Sequence, residues 1–78
     1  MNTELTKTIK VITILNPLEV QNYQEEFIEF KPNLVLVDLI PSGMECVVAV
    51  SGGIVPFEQW TTYLLNEDDT VVIHLLLL

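Results

Sequence analysis

Cys46, His74 and several clustered carboxylates are the groups in this chain whose types could do chemistry. Cys46 is the single cysteine, so an internal disulfide is excluded. A nucleophilic thiol wants a cationic neighbour to hold its thiolate, and none is adjacent. Cys46 instead opens the apolar run 46–50 and reads as a small buried hydrophobe. His74 is the single histidine and could act as a pH switch. As a metal ligand it would need a cysteine or second histidine at ligand spacing, which is missing. Glu67, Asp68 and Asp69 lack the alternating oxygen ligands, glycine bend and distal glutamate of a calcium loop, and read as a solvated turn. Glu25, Glu26 and Glu29 could pair for acid–base work, but such a pair needs a cleft between its carboxylates. A chain of 78 residues has little room for one, so these read as a solvated face. Ser51-Gly52-Gly53 is too short for a phosphate loop and has no following lysine. A nucleophilic Ser51 would need a base, and the one histidine is distant in sequence. The residues therefore predict no enzyme, no catalytic residue, no metal and no cofactor.

The elements that must position these groups can be read from pattern. Residues 7–15 are rich in β-branched Ile, Val and Thr and predict a strand. Met1 to Thr6 reads as a frayed start. Asn16-Pro17 breaks the strand, because proline has no N–H for a ladder. Residues 23–30 fit a helical face through Val20, Tyr23, Phe27 and Phe30 nearly as well as a weak alternation. A strand hairpinned to the first is preferred, since a short Asn-Pro turn suits it. After Lys31-Pro32-Asn33, the residues Leu34, Val37, and Leu39 or Ile40 could stripe a short helix that Pro41-Ser42-Gly43 ends. Residues 46–50 carry no charge and predict a strand buried on both faces. Ser51-Gly52-Gly53 turns into a brief strand at Ile54-Val55, and residues 56–62 read as irregular chain or one helical turn. An acidic turn at 66–69 leads to a last strand over 71–78. Placing the first and last strands side by side predicts an α+β fold: a ubiquitin-like β-grasp, with a mixed sheet and one short helix packed across it. Residues 1–78 would then form one such domain, the whole protein or the N-terminal part of a longer chain.

Composition narrows the function. Half the residues are apolar, enough for one thin core, and the mean hydropathy is +0.47, high for a small domain. That surplus suggests apolar surface covered by a partner or by more chain. Eleven carboxylates stand against three lysines and no arginine, for a net charge of −8. Nothing can neutralise phosphates, which argues against nucleic-acid partners and against anionic membrane surfaces. The purely apolar runs, 34–37, 46–50 and 75–78, are far too short to span a bilayer, so no membrane insertion is expected. The first twenty residues hold no uninterrupted apolar stretch of the signal-peptide kind, and the expectation is an intracellular protein or part of an assembly made inside a cell.

One stretch resembles a known family. Val48-Ala49-Val50-Ser51-Gly52-Gly53-Ile54-Val55-Pro56, then Trp60, then the run from Leu65 through Asn66-Glu67-Asp68-Asp69 to Ile73, is similar to the sulfur-carrier proteins of thiamin and molybdopterin synthesis. Those proteins have an apolar strand, an Asn-Gly type turn, Val-Pro, a tryptophan, and an acidic-Gly-Asp turn before the final strand. Here Ser51 stands where Asn is usual, and Asp68-Asp69 where Gly-Asp is usual. Sulfur carriers end in Gly-Gly, a tail without side chains that threads into an activating enzyme. Leu75, Leu76, Leu77 and Leu78 are expected not to enter such a channel. The opening Leu15-Asn16-Pro17-Leu18-Glu19, with the later Val-Pro and Trp segment, also resembles the N-terminal β-grasp module of siphophage tail-tip proteins, the central fibre or host-specificity proteins.

That resemblance implies a structural, protein-interaction module in virion assembly. Its partners would be other tail-tip or hub proteins, and its location the virion tail after synthesis in the host cytoplasm. Two other readings stay open: a sulfur-carrier-like protein without its Gly-Gly, and a small acidic regulator of a basic partner in the cytoplasm. The residues expected to matter are Trp60 as a core plug or partner hot spot, Pro56 beside it, and Leu75, Leu76, Leu77 and Leu78 as buried apolar surface.

Overall fold

Ile9 and Val11, Val48 and Val50, and Val71, Ile73 and Leu75 alternate with less buried neighbours along three segments, the period-two signature of strands with one covered face. A computed structural model describes residues 7–15, 18 and 23–76. It has five strands: β1 (Thr8–Ile14), β2 (Tyr23–Glu29), β3 (Cys46–Val50), β4 (Gly53–Val55) and β5 (Thr70–Leu75). They form one mixed sheet in the order β2-β1-β5-β3-β4. β1 and β5 are parallel at its centre, with Val11 opposite Val71, and every other pairing is antiparallel. The strand reading of residues 23–30 holds: Ile9 pairs with Ile28, and Ile14 with Tyr23. The Asn16-Pro17 break, Glu19, Val20 and the opening residues 1–6 lie outside the described residues.

Ile9, Leu36, Val48, Val71 and Ile73 are the most deeply buried side chains. Each contributes about 1.5–3 kcal/mol by leaving water. Trp60, Leu65 and Val55 close the same cluster.

The short helix expected between β2 and β3 is a 3-10 turn of four residues, Leu36–Leu39. The cause is visible in the backbone bonds. Leu36 N–H donates to Tyr63 O, Val37 N–H to Trp60 O, and Leu65 N–H to Leu34 O, around an isolated bridge between Val35 and Leu64. Val35 is held extended (φ −103°, ψ 144°) at that bridge, so no regular helix runs through it. The turn still delivers Leu36 into the core.

β3 departs from expectation too. Val48 and Val50 are buried, but Val47 is 39% exposed, so only one face of this strand is covered. Opposite Val47 lies His74, on the same open side.

The β3–β4 connection is a two-residue loop of Ser51 (φ 48°) and Gly52 (φ 91°), both left-handed, as type I′ hairpins require. Asp68 (φ 69°) is left-handed in the acidic turn before β5.

Candidate interaction surfaces

Trp60 takes its place from the turn before it. Pro56, exposed and with φ −63°, starts a 3-10 turn over Phe57–Gln59, and its carbonyl accepts the Gln59 N–H at 2.9 Å. Proline holds that φ without ordering cost. The turn folds Trp60 back under the sheet, where its indole N–H donates to Val55 O at 2.9 Å. Phe57 stays outside, edge-on to the indole with ring centroids 5.0 Å apart.

The terminal leucines divide. Leu75 is buried in the core cluster. Leu76 is 44% exposed, and its N–H donates to Glu45 O. Leu77 and Leu78 lie outside the described residues.

The sheet has one face turned away from the core. Register places Glu25, Ile12, Val72, Ala49 and Ile54 in one row across all five strands. A second row holds Tyr23, Ile14, His74 and Val47. Ile54 is 73% exposed and Phe27, on the same face, 61%. Lys10 lies over the Phe27 ring and pairs with Glu25 at 3.5 Å. The result is an apolar band bordered by β2 carboxylates.

The carboxylates considered for acid–base chemistry are split: Glu25 and Glu29 share the open face, and Glu26 points to the other. β2 is an edge strand, so this charge also discourages pairing with another copy. Asp69 has a structural role that the sequence did not signal. Its carboxylate accepts from the Ser51 hydroxyl at 2.9 Å and from the Asn66 N–H at 2.8 Å, tying the acidic turn to the β3–β4 hairpin. Among the described residues, no three His, Cys, Asp or Glu side chains gather as a metal site would need, and no helix is long and apolar enough to cross a membrane.

A second apolar surface opens at the Trp60 end. Met44, Cys46, Phe57, Trp60 and Leu76 line a cavity of about 300 Å³ together with Glu45. A neighbouring cavity of about 240 Å³ shares Met44, Phe57 and Trp60 and extends to Val37, Ile40 and Pro41. Burial raises the Cys46 thiol pKa above its ordinary value, which lowers its thiolate fraction and slows its reactions. Sequence reasoning missed Met44 and Phe57. The one signal available was that both are bulky and apolar yet belong to no alternating run.

Comparison with protein-family models, with curated proteins and with solved structures finds no match to this chain.

Proposed function

We propose that this chain is a protein-interaction module of the ubiquitin-like β-grasp type, docking through the open face of its sheet within a larger assembly. The observation that carries this reading is the apolar row Ile12, Val72, Ala49 and Ile54, which no described element covers. A partner presenting an apolar patch would remove that row from water. The β-grasp assignment is supported by the strand order and by the parallel β1–β5 pair at its centre.

The resemblance to the N-terminal module of siphophage tail-tip proteins makes the assembly a virion tail, with tail-tip or hub proteins as partners. Two turn positions depart from the sulfur-carrier proteins in residue type while keeping a left-handed backbone. Ser51 and Asp68 stand where those proteins have Asn and Gly, and both have positive φ. Asn and Gly are the residues that adopt this backbone most easily.

The test is mass spectrometry of the chain from its natural source. Recovery from purified virion tails, in a polypeptide far larger than 8.8 kDa, is the expected result. Recovery as a free 8.8 kDa protein absent from virions would overturn the tail-tip reading.

A further inference from the structure

The groove beside Trp60 is a second candidate surface, built differently from the open sheet face. Its two cavities share Met44, Phe57 and Trp60 and are lined mainly by apolar groups. The larger, about 300 Å³, sits at the lower end of ligand-pocket size, the scale of one or two bulky side chains. Phe57 is 73% exposed and Met44 49%, so the groove is open to an incoming segment. Methionine beside aromatic rings adapts its shape to what it meets.

Charge decides what that segment carries. Glu45 lines the first cavity, while Asp38 and Glu58 follow the lining residues Val37 and Phe57. Among the described residues, none of the three carboxylates is paired with a cation. The chain's lysines sit elsewhere. Lys7 pairs with Glu67 at 2.7 Å, and Lys10, paired with Glu25, lies opposite Thr70 at the start of β5. Phe30 N–H donates to Lys7 O, which holds Lys31 at the same end. The groove adjoins Cys46, which lies opposite Leu75 at the far end of β5. A second copy would bring another net charge of −8 to the same place and be repelled.

We infer that this groove binds a segment of a partner protein that presents two bulky apolar side chains with lysine or arginine beside them. The apolar side chains fill the two cavities, and the cations meet Asp38, Glu45 and Glu58. Desolvated aromatic and methionine contacts supply affinity, and the carboxylates supply on-rate and selectivity.

Selection of a random peptide library on the folded chain tests this. Enriched peptides are synthesised, then titrated against Trp60 fluorescence and against the rate of Cys46 alkylation by iodoacetamide. Trp60 and Cys46 are the only residues of their kinds, so both signals report from the groove. The expected peptides pair bulky apolar residues with lysine or arginine, shift Trp60 emission saturably and slow alkylation several-fold. Phe57→Ala should weaken them about tenfold or more. Glu45→Lys with Glu58→Lys should weaken them and flatten their salt dependence. These three side chains are exposed, and circular dichroism verifies that the variants fold. The inference is overturned by peptides that need no basic residue, by undiminished binding to the Phe57→Ala variant, by failure to select any saturable binder, or by a concentration-dependent Trp60 shift of the chain alone.

Discussion

Replacing Trp60 tests whether the loop between β4 and β5 is part of the core or lies on its surface. The indole is only 7% exposed, and aromatic side chains bury about 150–250 Å² each. At about 25 cal/mol per Å² that burial is worth about 4–6 kcal/mol, an upper estimate because the unfolded chain is itself partly compact. Aromatic-to-alanine changes in cores cost about 3–5 kcal/mol, and the same figure is expected for Trp60→Ala. A chain of 78 residues has a total stability of about 4–12 kcal/mol, so this variant loses a large share of it. Trp60→Phe keeps most of the ring and loses the 2.9 Å bond to Val55 O, with a net value of about 0.5–1.5 kcal/mol. With the smaller ring included, its cost should be about 1–2.5 kcal/mol. Each kcal/mol lowers the melting temperature of a domain this size by about 4–8 °C. Urea unfolding followed by far-UV circular dichroism measures all three proteins, since the variants have no tryptophan to report. A cost below about 1 kcal/mol for Trp60→Ala would refute the reasoning, because no side chain this buried leaves so little behind.

Four further outcomes are expected. Leu75→Ala should cost about 2–5 kcal/mol and Leu76→Ala less than about 1 kcal/mol, since only Leu75 is in the core; equal urea midpoints would contradict the division. Asp68→Gly should stabilise by about 0.5–1 kcal/mol by relieving a left-handed non-glycine residue, whereas Gly52→Ala should destabilise by about 1–2 kcal/mol, both read from thermal melts. Asp69→Ala should cost about 1–2 kcal/mol through loss of its bonds to Ser51 and Asn66, and an unchanged midpoint would make the turn merely solvated. Burial raises the Cys46 pKa, so the unfolded thiol gives up its proton first. This contribution to stability is therefore constant below the unfolded value of about 8.5 and falls as pH rises through it toward the folded value. The fall should be shallower in Cys46→Ala, as urea midpoints against pH would reveal.

Which parts of this architecture are legible in the sequence follows from what each part depends on. β1, β3 and β5 are local statements: Ile9 and Val11, Val48 and Val50, Val71 and Ile73 repeat at the strand period, so the chain itself records which side is buried. β2 is recorded only weakly. Most of its residues are exposed at the sheet edge, and its ladder to β1 rather than its pattern makes it a strand. The missing helix is the opposite case. Leu34, Val37 and Ile40 have helical spacing, but Leu36 and Val37 give their N–H groups to Tyr63 and Trp60, contacts about twenty-five residues away that no window of sequence contains.

The groove was illegible for the same reason, and its charge more so. Val37, Met44, Phe57 and Leu76 come from four separate segments, each too short to have a period. A net charge of −8 describes the chain as uniformly acidic. In the fold Lys7 and Lys10 are engaged with Glu67 and Glu25 at the start of β1, while Glu45 at the other end of β5 has no cationic counterpart among the described residues. Spread evenly, the three lysines would offset part of the negative charge at both ends. Their segregation pairs Lys7 and Lys10 with carboxylates at one end and leaves Glu45, beside the apolar groove at the other, without a paired cation among the described residues. Reversing Glu45 and Glu58 should therefore alter partner selection without altering the urea midpoint, whereas Trp60 variants should alter the midpoint first. A Glu45→Lys, Glu58→Lys chain that lost stability as well would mean these carboxylates serve the fold, and the separation of the Trp60 core from the recognition surface above it would fail.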